Sequence, residues 1–343
     1  VTVTLHKGSF SSEHPVAKNF VFGTSRDGNE AEQIFQKAST LNDKGEWVEP
    51  YTLPQQPIYY GKLQVESAVQ DDRGKSVASV ASADYIGVDR FIGVKNQWLY
   101  ESKKPVTLQT LVVDEAGIPA KDTVASTLIE FEEISVAKVK GAGNAYLNDI
   151  TRKWIPVATC NTTSTDTPKD CVFTPEKAGT YRATASIKDM QSREHKTEIM
   201  FWVSGSDYVQ WNDQDNLALS IVPEQKTYKV GDTAKFLIKN PYPNAQALIT
   251  VERYGVIDYI VQKLEGSAPI LEIPVKPDYL PGFYLSVVVM SPRVDQPPPV
   301  VGQVDMGKPA FRMGYVSMNV RDPYKEMIVQ AKPMQEIYRP RDK

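Results

Sequence analysis

Three histidines, His6, His14 and His195, are the side chains best suited to proton transfer or metal ligation, and they are widely separated. None stands in a metal-binding spacing such as HExxH, and no GxSxG turn presents a nucleophilic serine. The Gly-x-Gly of VKGAGNAY (139–146) has neither a third glycine nor a following helix. It reads as a loop between strands rather than a phosphate cradle. Glu132-Glu133 and Asp71-Asp72 read as a solvated face and a turn. No catalytic, metal or cofactor site is expected. The chemistry the sequence does offer is that of a target. Residues 291–314, SPRVDQPPPVVGQVDMGKPAFRMG, hold Arg293, Lys308 and Arg312 for trypsin-like pockets and Met306, Phe311 and Met313 for chymotrypsin-like ones. Val300, Val301 and Ala310 suit elastase-like pockets. Proline after Ser291 and after Lys308 would block some of these cuts.

The composition of this stretch explains why it should be cut. Its triple proline, Pro297-Pro298-Pro299, favours polyproline II, an extended conformation without internal hydrogen bonds. Gly302, Gly307 and Gly314 add conformational freedom. The segment is expected to be exposed and mobile, the state that proteases bind most readily.

Cys160 and Cys171 flank the polar stretch NTTSTDTPKD between strand-like runs. A hairpin neck would bring them close enough for a disulfide, worth about 3 kcal/mol in the chain-entropy model, and that pairing points to an oxidising compartment. Two buried free thiols are the alternative. Two cysteines without a nearby pair of histidines fall short of a zinc site. Asn161-Thr162-Thr163 fits a glycosylation acceptor, a pattern common by chance.

The elements that must position these residues are strands. The chain has 343 residues, is 41% hydrophobic and carries a formal charge of −3, which suggests two to four domains and gives no basic excess for nucleic acid or an anionic membrane face. No apolar run is long enough to span a membrane as a helix. No leader is visible, and both ends look cut from a longer chain. Val, Ile, Tyr, Phe and Thr recur in short runs between Gly, Pro, Asn and Asp, the pattern of a sandwich or barrel. DGNEAEQIFQKASTL (27–41) is the one window that reads as a possible helix.

Three segments share one opening: FIGVKNQWLYESKKPVTLQTLVVD (91–114), LALSIVPEQKTYKVGDTAKFLIKN (217–240) and MIVQAKPMQEIYRPRDK (327–343), each with a Tyr after the first turn (Tyr100, Tyr228, Tyr338). Their spacing is that of a sandwich of about 100 residues. The endings match too. GKLQVESAVQDDRGK (61–75) parallels GTYRATASIKDMQSR (179–193), with Asp71 on Asp189, while PGFYLSVVVMSPR (281–293) puts Pro292 at the same place. Where two units close a tight last hairpin, the third inserts residues 291–314 before the strand YVSMNV (315–320). VTVTLHKGSF (1–10) compares with STLIEFEEIS (126–135) as a third strand, so the first two strands of unit one are expected upstream. The expected architecture is all-β, tandem antiparallel sandwiches: 1–88 (truncated), 89–206, 207–326 with the inserted loop, and 327–343 opening a further unit. Trp47, Tyr59, Tyr60, Trp154 and Trp211 could form an aromatic carbohydrate platform, but read as packing within or between domains.

TYKVGDTAKFLIKNPYPNAQALITVERYGVIDY (227–259) and LPGFYLSVVVMSPR (280–293) resemble the bait-region domain of bacterial alpha-2-macroglobulins, as do GKPAFRMGYVSMNV (307–320), YYGKLQVESAVQDDRGK (59–75) and VKGAGNAYL (139–147). The likeness implies macroglobulin-like sandwiches and a broad-spectrum, periplasmic protease inhibitor serving bacterial defence, anchored to the inner membrane as a lipoprotein. Its bait would be residues 291–314. Its partners would be host or competitor endopeptidases and other domains of the parent chain, with no nucleic acid and no membrane contact from this part. The Cys-x-x-Gln thioester of many members matches neither Cys160-Asn161-Thr162-Thr163 nor Cys171-Val172-Phe173-Thr174. A structural or adhesive array of Ig-like modules, binding a glycan or a protein, explains the repeat equally well but leaves the insertion unexplained. A hydrolytic enzyme has no visible constellation.

Overall fold

A computed structural model describes residues 1–24, 30–140, 146–205, 207, 209, 211, 217–242, 244–293, 308–327, 329, 330 and 332. The described residues are almost entirely strands and turns, with short 3-10 turns at Pro15–Ala17 and Pro277–Tyr279. Two compact units divide the chain, Val1–Asn212 and Asp213–Lys343.

In the first unit, β1 (Thr2–Lys7), β2 (Val21–Phe22), β3 (Ala31–Gln36), β4 (Tyr60–Gln70) and β5 (Ser76–Ile86) come first. Four of them form a sheet in the order β3-β1-β4-β5. β3 corrects the expectation of a helix over 27–41, of which residues 27–29 lie outside the described residues. The stripe at helical spacing is weak, Ile34, Phe35 and Leu41 extended only by the small Ala31 and Ala38. The open edge of β1 supplies a ladder instead, with Phe35 opposite Val3 and its ring 4.6 Å from Tyr51.

Next come β6 (Arg90–Lys95), β7 (Leu99–Glu101), β8 (Val106–Asp114), β9 (Val124–Lys140), β10 (Tyr146–Thr163), β11 (Lys169–Phe173), β12 (Gly179–Lys188) and β13 (Glu194–Ser204). They make a sandwich of two sheets, β10-β9-β12-β13-β7 and β11-β8-β6-β2. Alternation of buried and less buried side chains in β12 from Tyr181 and along β13 faces Tyr181, Ala183, Ile199, Phe201 and Val203 onto Ile92, Val94, Leu108 and Val112. The two-residue β2 joins this sandwich rather than the sheet of its neighbours in sequence.

The second unit holds β14 (Ile221–Pro223), β15 (Thr227–Lys229), β16 (Thr233–Ile238), β17 (Gln246–Glu252), β18 (Val256–Lys263), β19 (Ile270–Pro274), β20 (Gly282–Ser291) and β21 (Ala310–Arg321). Its sheets are β14-β16-β19 and β15-β21-β20-β17-β18, closed over Phe236, Ile249, Leu285 and Val287.

The repeat seen in sequence is a repeat of topology. β10-β9-β12-β13-β7 and β18-β17-β20-β21-β15 are one order, each ending in a short parallel strand. β3-β1-β4-β5 repeats its first four places, so β1 stands where β9 stands. The repeated tyrosines share one task. Tyr100 Oη accepts from Gln97 N–H at 2.8 Å and donates to the Thr107 carbonyl at 3.2 Å. Tyr228 Oη meets Gln225 N–H and the Lys235 carbonyl at 3.2 and 3.5 Å. Tyr338, with most of 327–343, lies outside the described residues.

Candidate functional site

The last hairpin of each repeat shows how one residue closes or opens it. Asp71 Oδ1 accepts from the backbone N–H of Arg73 and Lys75 at 3.0 and 2.8 Å. Asp189 Oδ1 accepts from Gln191 and Arg193 at 2.9 and 2.8 Å. Each carboxylate thus ties the turn that follows it. Burial pushes the Asp189 carboxyl up, but the backbone and guanidinium of Arg193 outweigh this and hold it below the usual range. In the second unit Pro292 occupies that position. Proline has no acceptor side chain and no N–H, so it cannot tie a turn as the two aspartates do.

Both roots of the opening are fixed. Ser291 is paired with Ala310 at the end of the β20–β21 ladder. Beyond it, Pro292 and Arg293 on one side and Lys308 and Pro309 on the other are exposed. Val300, Val301 and Met306 lie outside the described residues, as do the triple proline, Gly302 and Gly307.

Phe311, Arg312 and Met313 are not in a loop. β21 begins at Ala310, five residues before the strand expected at 315, and pairs these three with Met290, Val289 and Val288. Met313 is held on its other side as well: its N–H donates to the Leu217 carbonyl and its carbonyl accepts from Leu219 N–H, both at 2.8 Å. The Arg312 guanidinium lies 5.5 Å from the centre of the Tyr242 ring. A protease binds its substrate as an added strand through free backbone groups, and both of Met313's are taken by Leu217 and Leu219. The early start of β21 was hidden because its outward residues, Phe311, Met313 and Tyr315, are themselves apolar, 45%, 46% and 70% exposed, which blurs the alternation. Gly314 does not supply freedom either. A Cβ there would lie 2.0 Å from the Leu219 carbonyl oxygen, so glycine permits a close approach of backbones.

Cys160 and Cys171 are joined, Cα to Cα 5.7 Å. The bond does not sit at a hairpin neck: β10 and β11 are edge strands of opposite sheets, and it joins the two layers of that sandwich. The aromatic residues do not make a platform. Trp211 is buried, Tyr59 packs on His195 at 4.7 Å, Tyr60 on Phe10 at 5.6 Å, and the Arg182 guanidinium covers Trp154 at 4.3 Å. Among the described residues, no three of His, Cys, Asp and Glu converge as a metal site.

Residues 219–343 match the family described as the alpha-2-macroglobulin bait region domain. The matched residues fall within the second unit, the one with Pro292 at the hairpin position. Over 310 residues, 90% of the chain, the sequence is 26% identical to an alpha-2-macroglobulin homolog of a Nostoc species, of which it spans 16%. The native conformation of Escherichia coli alpha-2-macroglobulin is similar over 94% of the chain and 21% of that protein, at TM-score 0.41 and 16% identity. Escherichia coli alpha-2-macroglobulin activated by porcine elastase is similar over 94% of the chain and 31% of that one, at TM-score 0.41 and 12% identity. The chain therefore spans less than a third of each of these relatives.

Proposed function

We propose that this chain is the bait-bearing part of a protease-trapping inhibitor, in which foreign endopeptidases cut residues 292–309. The observation that carries the reading is the third hairpin. It opens at Pro292, where its two counterparts are tied by Asp71 and Asp189, and its ends are anchored at Ser291 and Ala310. The family of residues 219–343 supports the same reading. An intact segment tethers β20 to β21 covalently. One cut removes the loop-closure constraint at little enthalpic loss, and any disfavoured arrangement held by the tether is released. In the parent protein that release would entrap the attacker. A periplasmic location with a lipoprotein anchor fits the cystine, which calls for an oxidising compartment.

The test is limited proteolysis of the 343-residue chain with trypsin, chymotrypsin and elastase separately, mapping new termini by mass spectrometry. First cuts by all three within 292–309, leaving large resistant pieces, are expected. Cuts scattered at similar rates over the other loops would sink the reading. The isolated chain should be cut without inhibiting the protease, since the surrounding domains are needed to entrap it.

A further inference from the structure

The sheet β15-β21-β20-β17-β18 ends in β18, whose far side has no strand partner among the described residues. Backbone groups of an antiparallel strand face alternate sides, residue by residue. Leu264 N–H donates to the Ala245 carbonyl at 3.0 Å and the Leu264 carbonyl accepts from Asn244 N–H at 2.9 Å, so the even-numbered residues of β18 bond to β17. The odd-numbered ones, Ile257, Tyr259, Val261 and Lys263, turn their N–H and C=O to the open edge. Tyr259 shows this directly, because its N–H is taken by Asp258 Oδ1 at 2.9 Å. The side chains are exposed to match, Tyr259 by 68% and Val261 by 64%. β10 holds the same place in the second sandwich, and its edge is blunted. Pro156 lacks an N–H, the register shifts between Pro156 and Ala158, and Arg152 and Lys153 add charge. These devices keep an edge strand from pairing with another chain. β18, VIDYIVQK, has no proline, its register shifts only at its first residue, and β-branched and aromatic residues fill it.

We infer that β18 pairs with β18 of a second copy of this chain, antiparallel about a two-fold axis, so that one sheet continues across both copies. The occupant that such an edge takes is an extended, apolar strand, and β18 is itself one. Charge sets the direction. Asp258 lies near the start of β18 and Lys263 at its end, so antiparallel copies bring acid toward base at both ends, whereas a parallel pair would set like beside like. With the pairing centred on Ile260 or on Val261, no two like charges stand opposite each other. The Tyr259 and Val261 side chains of both copies then lie side by side on one face. An edge of eight residues is small beside the roughly 1,200 Å² of a stable interface, so a reversible dimer in the micromolar range is expected. The pairing involves no residue of 292–309 and stands or falls apart from the bait reading.

Sedimentation velocity of the 343-residue chain across the micromolar range tests this. The sedimentation coefficient should climb with concentration toward that of a dimer. Val261→Lys places a charge on the open edge and should weaken the dimer by about tenfold or more. Tyr324→Lys, the same charge on a turn residue that is 98% exposed, should leave it unchanged. Amide hydrogen exchange locates the contact. As the sample is concentrated, the Val261 and Lys263 amides should slow by about tenfold, while those of Ile260 and Gln262, already bonded to β17, stay as they are. A chain that remains monomeric throughout overturns the pairing. So does a dimer that Val261→Lys leaves intact, or one in which the Val261 amide still exchanges at the monomer rate. If circular dichroism shows that Val261→Lys does not fold, the exchange measurement on the wild-type chain decides.

Discussion

Single side chains set the local geometry of this protein by bonding to nearby backbone. Tyr100 is the clearest case: a buried phenol that ties residue 97 to residue 107. Tyr100→Phe leaves a backbone donor and a carbonyl without this partner and should cost about 1–2 kcal/mol, read as a lower urea midpoint with unchanged slope. Tyr181 donates to the Lys177 carbonyl at 2.8 Å, and burial pushes its phenol from 10.0 up to about 12. A folded-state value above the unfolded one means the native state holds its proton longer. That stability is fully present below pH 10 and is lost as pH rises from 10 to about 12. Thermal midpoints across that range should fall, and Tyr181→Phe should flatten the fall. At the hairpins the contrast is Asp71 and Asp189 against Pro292. Asp189→Ala strands two turn amides and the Arg193 guanidinium, and should cost about 1–3 kcal/mol in a denaturant melt.

At the scale of elements, the cystine is a covalent link between two sheets. Because Cys160 and Cys171 lie on strands of opposite sheets, the bond restrains the two layers of the second sandwich. Replacing both cysteines by alanine should cost about 3 kcal/mol. A calorimetric scan should show the loss confined to the first unit, with the transition of the second unit unmoved. β20 and β21 behave differently. Their ladder runs from Gly282–Asn319 to Ser291–Ala310, and it is flanked by β17, by β15 and by residues 217–219.

For the whole molecule, the two units should respond unequally to attack. In the first unit Asp71 and Asp189 tie two hairpin turns and a cystine joins two sheets, whereas the second unit has Pro292 at the corresponding place. Proteases of unrelated specificity should therefore converge on 292–309. Trypsin should cut after Arg293, spare Lys308 because Pro309 follows, and spare Arg312 because its strand is paired. Sequencing the new termini decides among these bonds, and early cleavage after Arg312 would show that the ladder does not protect β21.

The sequence by itself determined the all-β class, the repeat, the cysteine pair and the broken hairpin. Each of these is written in short-range terms: a period of two, a tyrosine three residues after a backbone donor, an aspartate two and four residues before the amides it binds. Only the tertiary structure decided that residues 31–36 form a strand, that β21 starts at Ala310, that the cystine crosses between sheets, and that 217–219 clamp Met313. In each of these the deciding partner lies far away in sequence or on an open strand edge. Backbone pairing of that kind uses groups every residue carries, so side-chain identity leaves almost no trace of it. Gly314 is the exception, and its absent Cβ gains meaning only once the Leu219 carbonyl is seen against it.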